Sequence, residues 1–124
     1  MSAAQTFADA LQELERTGDL DAFLEVFADD VQLLRPEPGN GEQGREGARR
    51  FWQLYLDQFQ RIASEFSRVV DADRLGELEW ISKGRLAAGR DIDYAGCSLL
   101  EHDDDGKVVR FATYYDTAAF TNPQ

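Results

Sequence analysis

The groups able to do chemistry in this chain are hydroxyls, scattered carboxylates and one arginine beside a loop. The C-terminal segment VVRFATYYDTAAF, residues 108–120, alternates, is aromatic and carries one carboxylate, Asp116. Side chains alternate across a strand, so Phe111, Thr113 and Tyr115 share one face and Arg110, Ala112, Tyr114 and Asp116 the other. A threonine hydroxyl can hydrogen-bond a ligand but cannot titrate near neutrality. The one histidine, His102, sits beside Asp103, Asp104 and Asp105, where the spacing predicts a solvated hairpin tip. Zinc normally recruits several His or Cys ligands, and the aspartates lack the spacing of an EF-hand, so no metal is expected. The single Cys97 has no basic neighbour in sequence to lower its pKa and reads as a structural thiol. The glycines of RPEPGNGEQGRE lack the strand–GxGxxG–helix context of a phosphate loop.

The elements that position these groups are legible from periodicity. Phe7, Leu11 and Leu14 follow the spacing of one helix face. In TGD (17–19) Gly18 suits a helix end and Asp19 the N-cap of a second helix carrying Leu20, Phe23, Leu24 and Phe27. A short strand runs to Leu34, followed by a loop punctuated by Pro36, Pro38 and Gly39. REGARRFWQLYLDQFQRI, residues 45–62, predicts a third helix with Phe51, Leu54, Tyr55, Phe59 and Ile62 inward. After Ser64 the pattern changes to strands: SEFSRVVDADRL, GELEWISKGRLA, RDIDYAGCSLLEH and KVVRFATYYDTAAF, separated by turn residues at Gly89 and DDDG. Helices first and then antiparallel strands indicate an α+β fold.

Length and composition set the outer bounds. A chain of 124 residues with 43% hydrophobic and 11% aromatic residues predicts one domain, 1–124, with a sizeable core. Its net charge of −11 argues against nucleic acid or anionic membrane as a partner. No apolar run approaches a membrane span, the N-terminus lacks the pattern of a signal peptide, and one cysteine fits a reducing compartment, so a cytoplasmic location is expected.

TGDLDAFLEVFADDVQLLRP, GREGARRFW and DGKVVRFATYYDTAAF together resemble the nuclear transport factor 2-like superfamily, including the SnoaL-like proteins. The resemblance covers nearly the whole chain. It implies a cone in which three helices close over a strongly curved sheet around a pocket, within a dimer. By similarity to the steroid isomerases of this superfamily, the Phe111, Thr113, Tyr115 face turns into the cone. The same parity turns Tyr94, Gly96 and Ser98 inward, with Trp80, Ser82, Gly84 and Leu86 on the preceding strand. Trp52 and Arg35 complete the lining. Asp116 then points away and reads as a strand-end structural carboxylate.

The resemblance also names chemistries that this chain lacks. The isomerases' base, tyrosine and neutral acid fall on Arg35, Leu11 and Ser98, which leaves nothing to move a proton from carbon. The final-strand carboxylate of the epoxide hydrolases and SnoaL-like cyclases falls on Thr113. The expected pocket lining is therefore Arg35, Trp52, Trp80, Ser82, Tyr94, Ser98, Phe111, Thr113 and Tyr115, with no cofactor and no assigned catalytic residue. Such a lining suits a small aromatic or polycyclic ligand. Arg35 either meets an anionic group on that ligand or pairs with a protein carboxylate such as Glu37. The outward faces gather Ile81, Ala95, Cys97, Leu99, Ala112 and Tyr114, an apolar patch of the kind that marks a homodimer interface. An association domain working through that patch is the alternative function.

Overall fold

Described in a computed structural model are residues 2–37, 39 and 41–121; Pro38 of the expected loop lies outside them. Helix α1 spans Ala3–Thr17, capped by Ser2, whose side chain accepts the Gln5 N–H, and closed by Gly18 in the left-handed conformation. Asp19 caps α2, Leu20–Phe23. The second helix is shorter than its apolar spacing predicts: Leu24–Val26 tightens into a 3-10 turn and Phe27 opens strand β1, Phe27–Leu34. A two-residue strand β2, Glu42–Gln43, leads into α3, Gly44–Asp57. Four strands follow: β3 Phe59–Ala72, β4 Leu75–Leu86, β5 Asp91–His102 and β6 Val108–Tyr115. A last turn of helix, α4, covers Ala118–Thr121.

The six strands form one mixed sheet in the order β2-β1-β6-β5-β4-β3. β1 lies parallel to β6 and the other pairs are antiparallel. The α+β fold and its curved sheet are thus as the sequence indicates, with two further differences, one at the end of α3 and one at the end of β6. The long helix stops at Asp57, and Phe59 and Ile62 belong to β3 rather than to α3. They stand three residues apart, which in a regular strand would place them on opposite faces. A register shift between Phe59 and Arg61 returns both to the interior. A second shift, between Phe66 and Arg68, does the same for Phe66 and Val69. Two bulges in one strand bend it strongly, which is how β3 wraps the sheet around α1. Gly84 sits opposite the first bulge, where a Cβ would meet the Arg61 carbonyl oxygen at 2.1 Å.

The second difference is α4. The sequence pattern runs the last strand through Phe120, but the strand ends at Tyr115. Asp116 Oδ1 accepts the Ala118 N–H and starts the turn, while Arg90 donates to the Ala119 and Phe120 carbonyls. Phe120 is thereby folded back onto Tyr94, ring centroids 4.9 Å apart, and onto Phe59 and Tyr115. Asp116 is exposed and serves as a cap.

Burial follows the helix stripes and strand parity. Ala4, Phe7, Ala8, Leu11 and Leu14 are the buried face of α1. Phe7, Phe23, Phe27, Phe51, Trp52 and Phe111 close into one aromatic cluster, with centroid separations such as 4.9 Å for Phe23–Trp52 and 5.4 Å for Phe7–Phe111. His102 is not at a solvated tip. Its side chain is largely buried at the end of β5, with Nε2 3.8 Å from Asp71 Oδ1 on β3 and no hydrogen-bond partner for either ring nitrogen among the described residues. The hairpin tip lies one residue further on, where Asp103 Oδ1 accepts the Asp105 and Lys107 N–H groups.

Candidate functional site: a cavity between the helices and the sheet

The aromatic cluster does not fill the cone. A cavity of about 200 Å³ is left between α1, α3 and strands β3 to β6. All nine residues expected from strand parity and resemblance line it: Arg35, Trp52, Trp80, Ser82, Tyr94, Ser98, Phe111, Thr113 and Tyr115. Leu11, Glu37, Phe51, Leu54, Tyr55, Gln58 and Ser64 complete the wall. Buried Ser64, Ser82, Ser98 and Thr113 mark its interior, and exposed Glu37 and Leu54 mark its mouth.

Two chains of hydrogen bonds run through the wall. In the first, Trp80 Nε1 donates to Ser98 Oγ at 3.0 Å, and Ser98 Oγ lies 2.9 Å from Thr113 Oγ1. Pairing of Trp80 with Gly96 makes this possible, because the indole lies where a Cβ on Gly96 would be, 2.6 Å from Trp80 Cζ2. In the second, Ser82 Oγ lies 2.6 Å from Ser64 Oγ, and Ser64 donates to Glu15 Oε2 at 2.7 Å. Tyr55 Oη donates to the same Glu15 oxygen, Oε2, at 2.6 Å. Burial raises the Glu15 carboxyl above its ordinary range, opposed by the bonds from Tyr55 and Ser64. Burial likewise pushes the Tyr55, Tyr94 and Tyr115 phenols up, so all three stay neutral at ordinary pH.

Trp52 is packed among Phe7, Phe23, Phe51 and Phe111, and its indole N–H has no acceptor among the described residues. Arg35 stands at the mouth with its guanidinium carbon 4.2 Å from the centre of the Phe51 ring. It is already engaged by its own chain. Both Arg35 and Glu37 act electrostatically on Tyr115, with opposite signs. Among the described residues no group of three or more His, Cys, Asp or Glu side chains is placed to hold a metal ion.

Residues 4–111 match the SnoaL-like domain. The chain belongs to this family. No curated protein sequence matches it. Among solved structures it is similar to a nuclear transport factor 2-like protein from Anabaena variabilis, 17% identical, with a TM-score of 0.83 over 94% of this chain and 89% of that one. It is also similar to RV0760c from Mycobacterium tuberculosis, solved in complex with estradiol-17β-hemisuccinate: 15% identical, TM-score 0.81, covering 96% and 98% of the two chains. A third is a protein of ketosteroid isomerase-like fold from Catenulispora acidiphila, in complex with trimethylamine: 14% identical, TM-score 0.81, covering 92% and 88%. At these identities the likeness is one of fold.

Arg35, Leu11 and Ser98, the residues that the resemblance set against the isomerases' base, tyrosine and acid, all line the cavity. The functional group that sequence reading passes over is Glu15. It stands four residues after Leu11 and eight after Phe7, on the apolar stripe of α1. A carboxylate on such a stripe is the signal that could have found it. On the convex face of the sheet Ile81, Leu99 and Tyr114 are 44%, 39% and 45% exposed. Ile81, Ala95, Cys97 and Tyr114 line a shallow cleft there with Ser67 and Glu79. Ala112 does not contribute to that patch. It is fully buried between Leu34 of β1 and Leu99 of β5, because β1 adds a parallel strand beside β6.

Proposed function

We propose that this SnoaL-like domain binds a small, flat aromatic molecule of one or two rings in its cavity, with any anionic group of that ligand held at the Arg35 mouth. The observation that carries this reading is the cavity itself, left open although the surrounding aromatics could have closed it. A cavity of ~150 Å³ is enough to hold benzene, and the space here is about 200 Å³. Larger polycyclic ligands would extend past Arg35 into solvent. Aromatic walls with a few hydroxyls are the usual composition of such a site, and the indole N–H of Trp52 offers a further donor. That RV0760c and the Catenulispora protein were solved with small molecules supports a ligand-binding use of this fold. The reading assigns no catalytic residue, and the domain is taken to span 1–124.

Quenching of Trp52 and Trp80 fluorescence by paired aromatic acids and their neutral amides tests it. A charge-assisted hydrogen bond contributes about 1.5–3 kcal/mol, so Arg35→Ala is expected to weaken acids by roughly ten- to a hundredfold and amides little. Equal binding of acid and amide would remove the anion site while keeping the pocket.

The exposed Ile81, Leu99 and Tyr114 favour a second property, a homodimer formed through the outer sheet face. Sedimentation is expected to show a dimer that Leu99→Lys shifts toward monomer. A 14.0 kDa species in the unmodified protein would count against it.

A further inference from the structure

Glu15 is the charged group that the pocket reading leaves unused. Its Oε1 accepts the Ser64 backbone N–H at 2.8 Å. Its Oε2 accepts Ser64 Oγ at 2.7 Å and Tyr55 Oη at 2.6 Å. A hydroxyl has a single proton to donate. Ser64 commits its proton to Glu15, so the 2.6 Å bond between Ser64 and Ser82 is donated by Ser82. Ser82 has then no proton left for the cavity. Three hydroxyls, those of Tyr55, Ser64 and Ser82, thus direct their protons toward one carboxylate. All three line the cavity, and lone pairs are what they have left to offer it.

We propose that Glu15, acting through Ser64 and Ser82, makes this wall an acceptor surface, so that the ligand group docking there is a hydrogen-bond donor: a hydroxyl or N–H on the aromatic ring. The inference rests on the aromatic-ligand reading above and adds to it the functional group and its place. A carbonyl or ether oxygen at the same point would face oxygen with no proton between them. Leaving buried polar atoms unpaired discriminates by about tenfold or more.

The Ser64 backbone N–H makes the consequence of neutralising Glu15 specific. It requires an acceptor where Oε1 now stands. In Glu15→Gln the amide oxygen takes that place, and the amide NH2 occupies the position of Oε2, donating to Ser64 and Tyr55. Ser64 then turns its proton to Ser82, and Ser82 to the cavity. The wall becomes a donor surface, and its preference inverts. A merely structural Glu15 would weaken all ligands alike.

Calorimetric titration at pH 7 with 2-naphthol, 2-naphthaldehyde and naphthalene tests this independently of an anion at Arg35, since all three are uncharged there. The native protein is expected to bind the naphthol about tenfold or more tighter than the aldehyde, and Glu15→Gln to reverse that order. Ser82→Ala removes an acceptor oxygen while leaving the bonds of Glu15 to Ser64 and Tyr55, and it should flatten the ratio even if Glu15→Gln does not fold. Equal binding of naphthol and aldehyde, or a naphthol preference that survives in either variant, would overturn the assigned polarity and leave the pocket reading standing. Binding of none of the three would overturn both.

Discussion

The two hydrogen-bonded chains in the cavity wall have similar lengths and opposite characters. Trp80–Ser98–Thr113 contains no titratable end. Trp80 fixes the direction of the first bond, and the proton between Ser98 and Thr113 can lie either way. Ser82–Ser64 ends on Glu15, and a carboxylate accepts but does not donate when ionised. One chain can therefore adapt to a ligand and the other imposes a direction. A single charged residue, in the layer behind the cavity, is enough to make two neighbouring strand surfaces chemically different.

The comparison is broken most forcefully at its charged end. Glu15→Ala leaves the Ser64 N–H, the Ser64 hydroxyl and the Tyr55 hydroxyl without their acceptor. Urea denaturation is expected to show a loss of about 3 kcal/mol or more, since each stranded donor costs about 1–3 kcal/mol before rearrangement. Ser98→Ala strands the Trp80 indole N–H and takes from Thr113 a partner that the open cavity can replace, so it should cost about 1–2 kcal/mol. A Ser98→Ala loss as large as that of Glu15→Ala would abolish the distinction between the chains.

The smallest effect sharpens it. Burial raises the Glu15 pKa above its ordinary 4.5 in the folded protein. The native state thus holds this proton more tightly than the unfolded chain. The stability linked to it is fully present below 4.5 and is lost as pH rises through the native pKa. Tyr55 and Tyr94, the titratable groups facing it, are both pushed up and stay neutral over that window. The stability of the native protein relative to Glu15→Gln is expected to fall with pH across the window, while the difference from Ser98→Ala stays flat. Matched slopes would remove Glu15 as the titrating member.

Which residues would share an enclosed space was readable without coordinates because strand parity is local. Trp80, Ser82, Tyr94, Ser98, Thr113 and Tyr115 alternate with neighbours on the other face of their strands, and the resemblance supplied which face turns inward. The helix stripe turned Leu11 inward in the same way, whereas Trp52 was placed in the lining by the resemblance. Caps were equally local, as Ser2, Gly18 and Asp19 each close a helix with their own atoms. Tertiary structure decided whatever depended on partners distant in sequence. Phe59 and Ile62 satisfy a helical spacing as well as they satisfy a bulged strand, and only pairing with β4 selects the strand. Ala112 has outward parity, but a parallel neighbour covers it. Phe120 continues an alternating pattern, but Asp116 and Arg90 turn it back onto Tyr94. Glu15 looks like one more surface charge until Ser64, 49 residues away, closes its hydrogen bonds. Periodicity reports which face a side chain takes, whereas the direction of a buried proton is set by whichever acceptor the fold brings to the end of the chain.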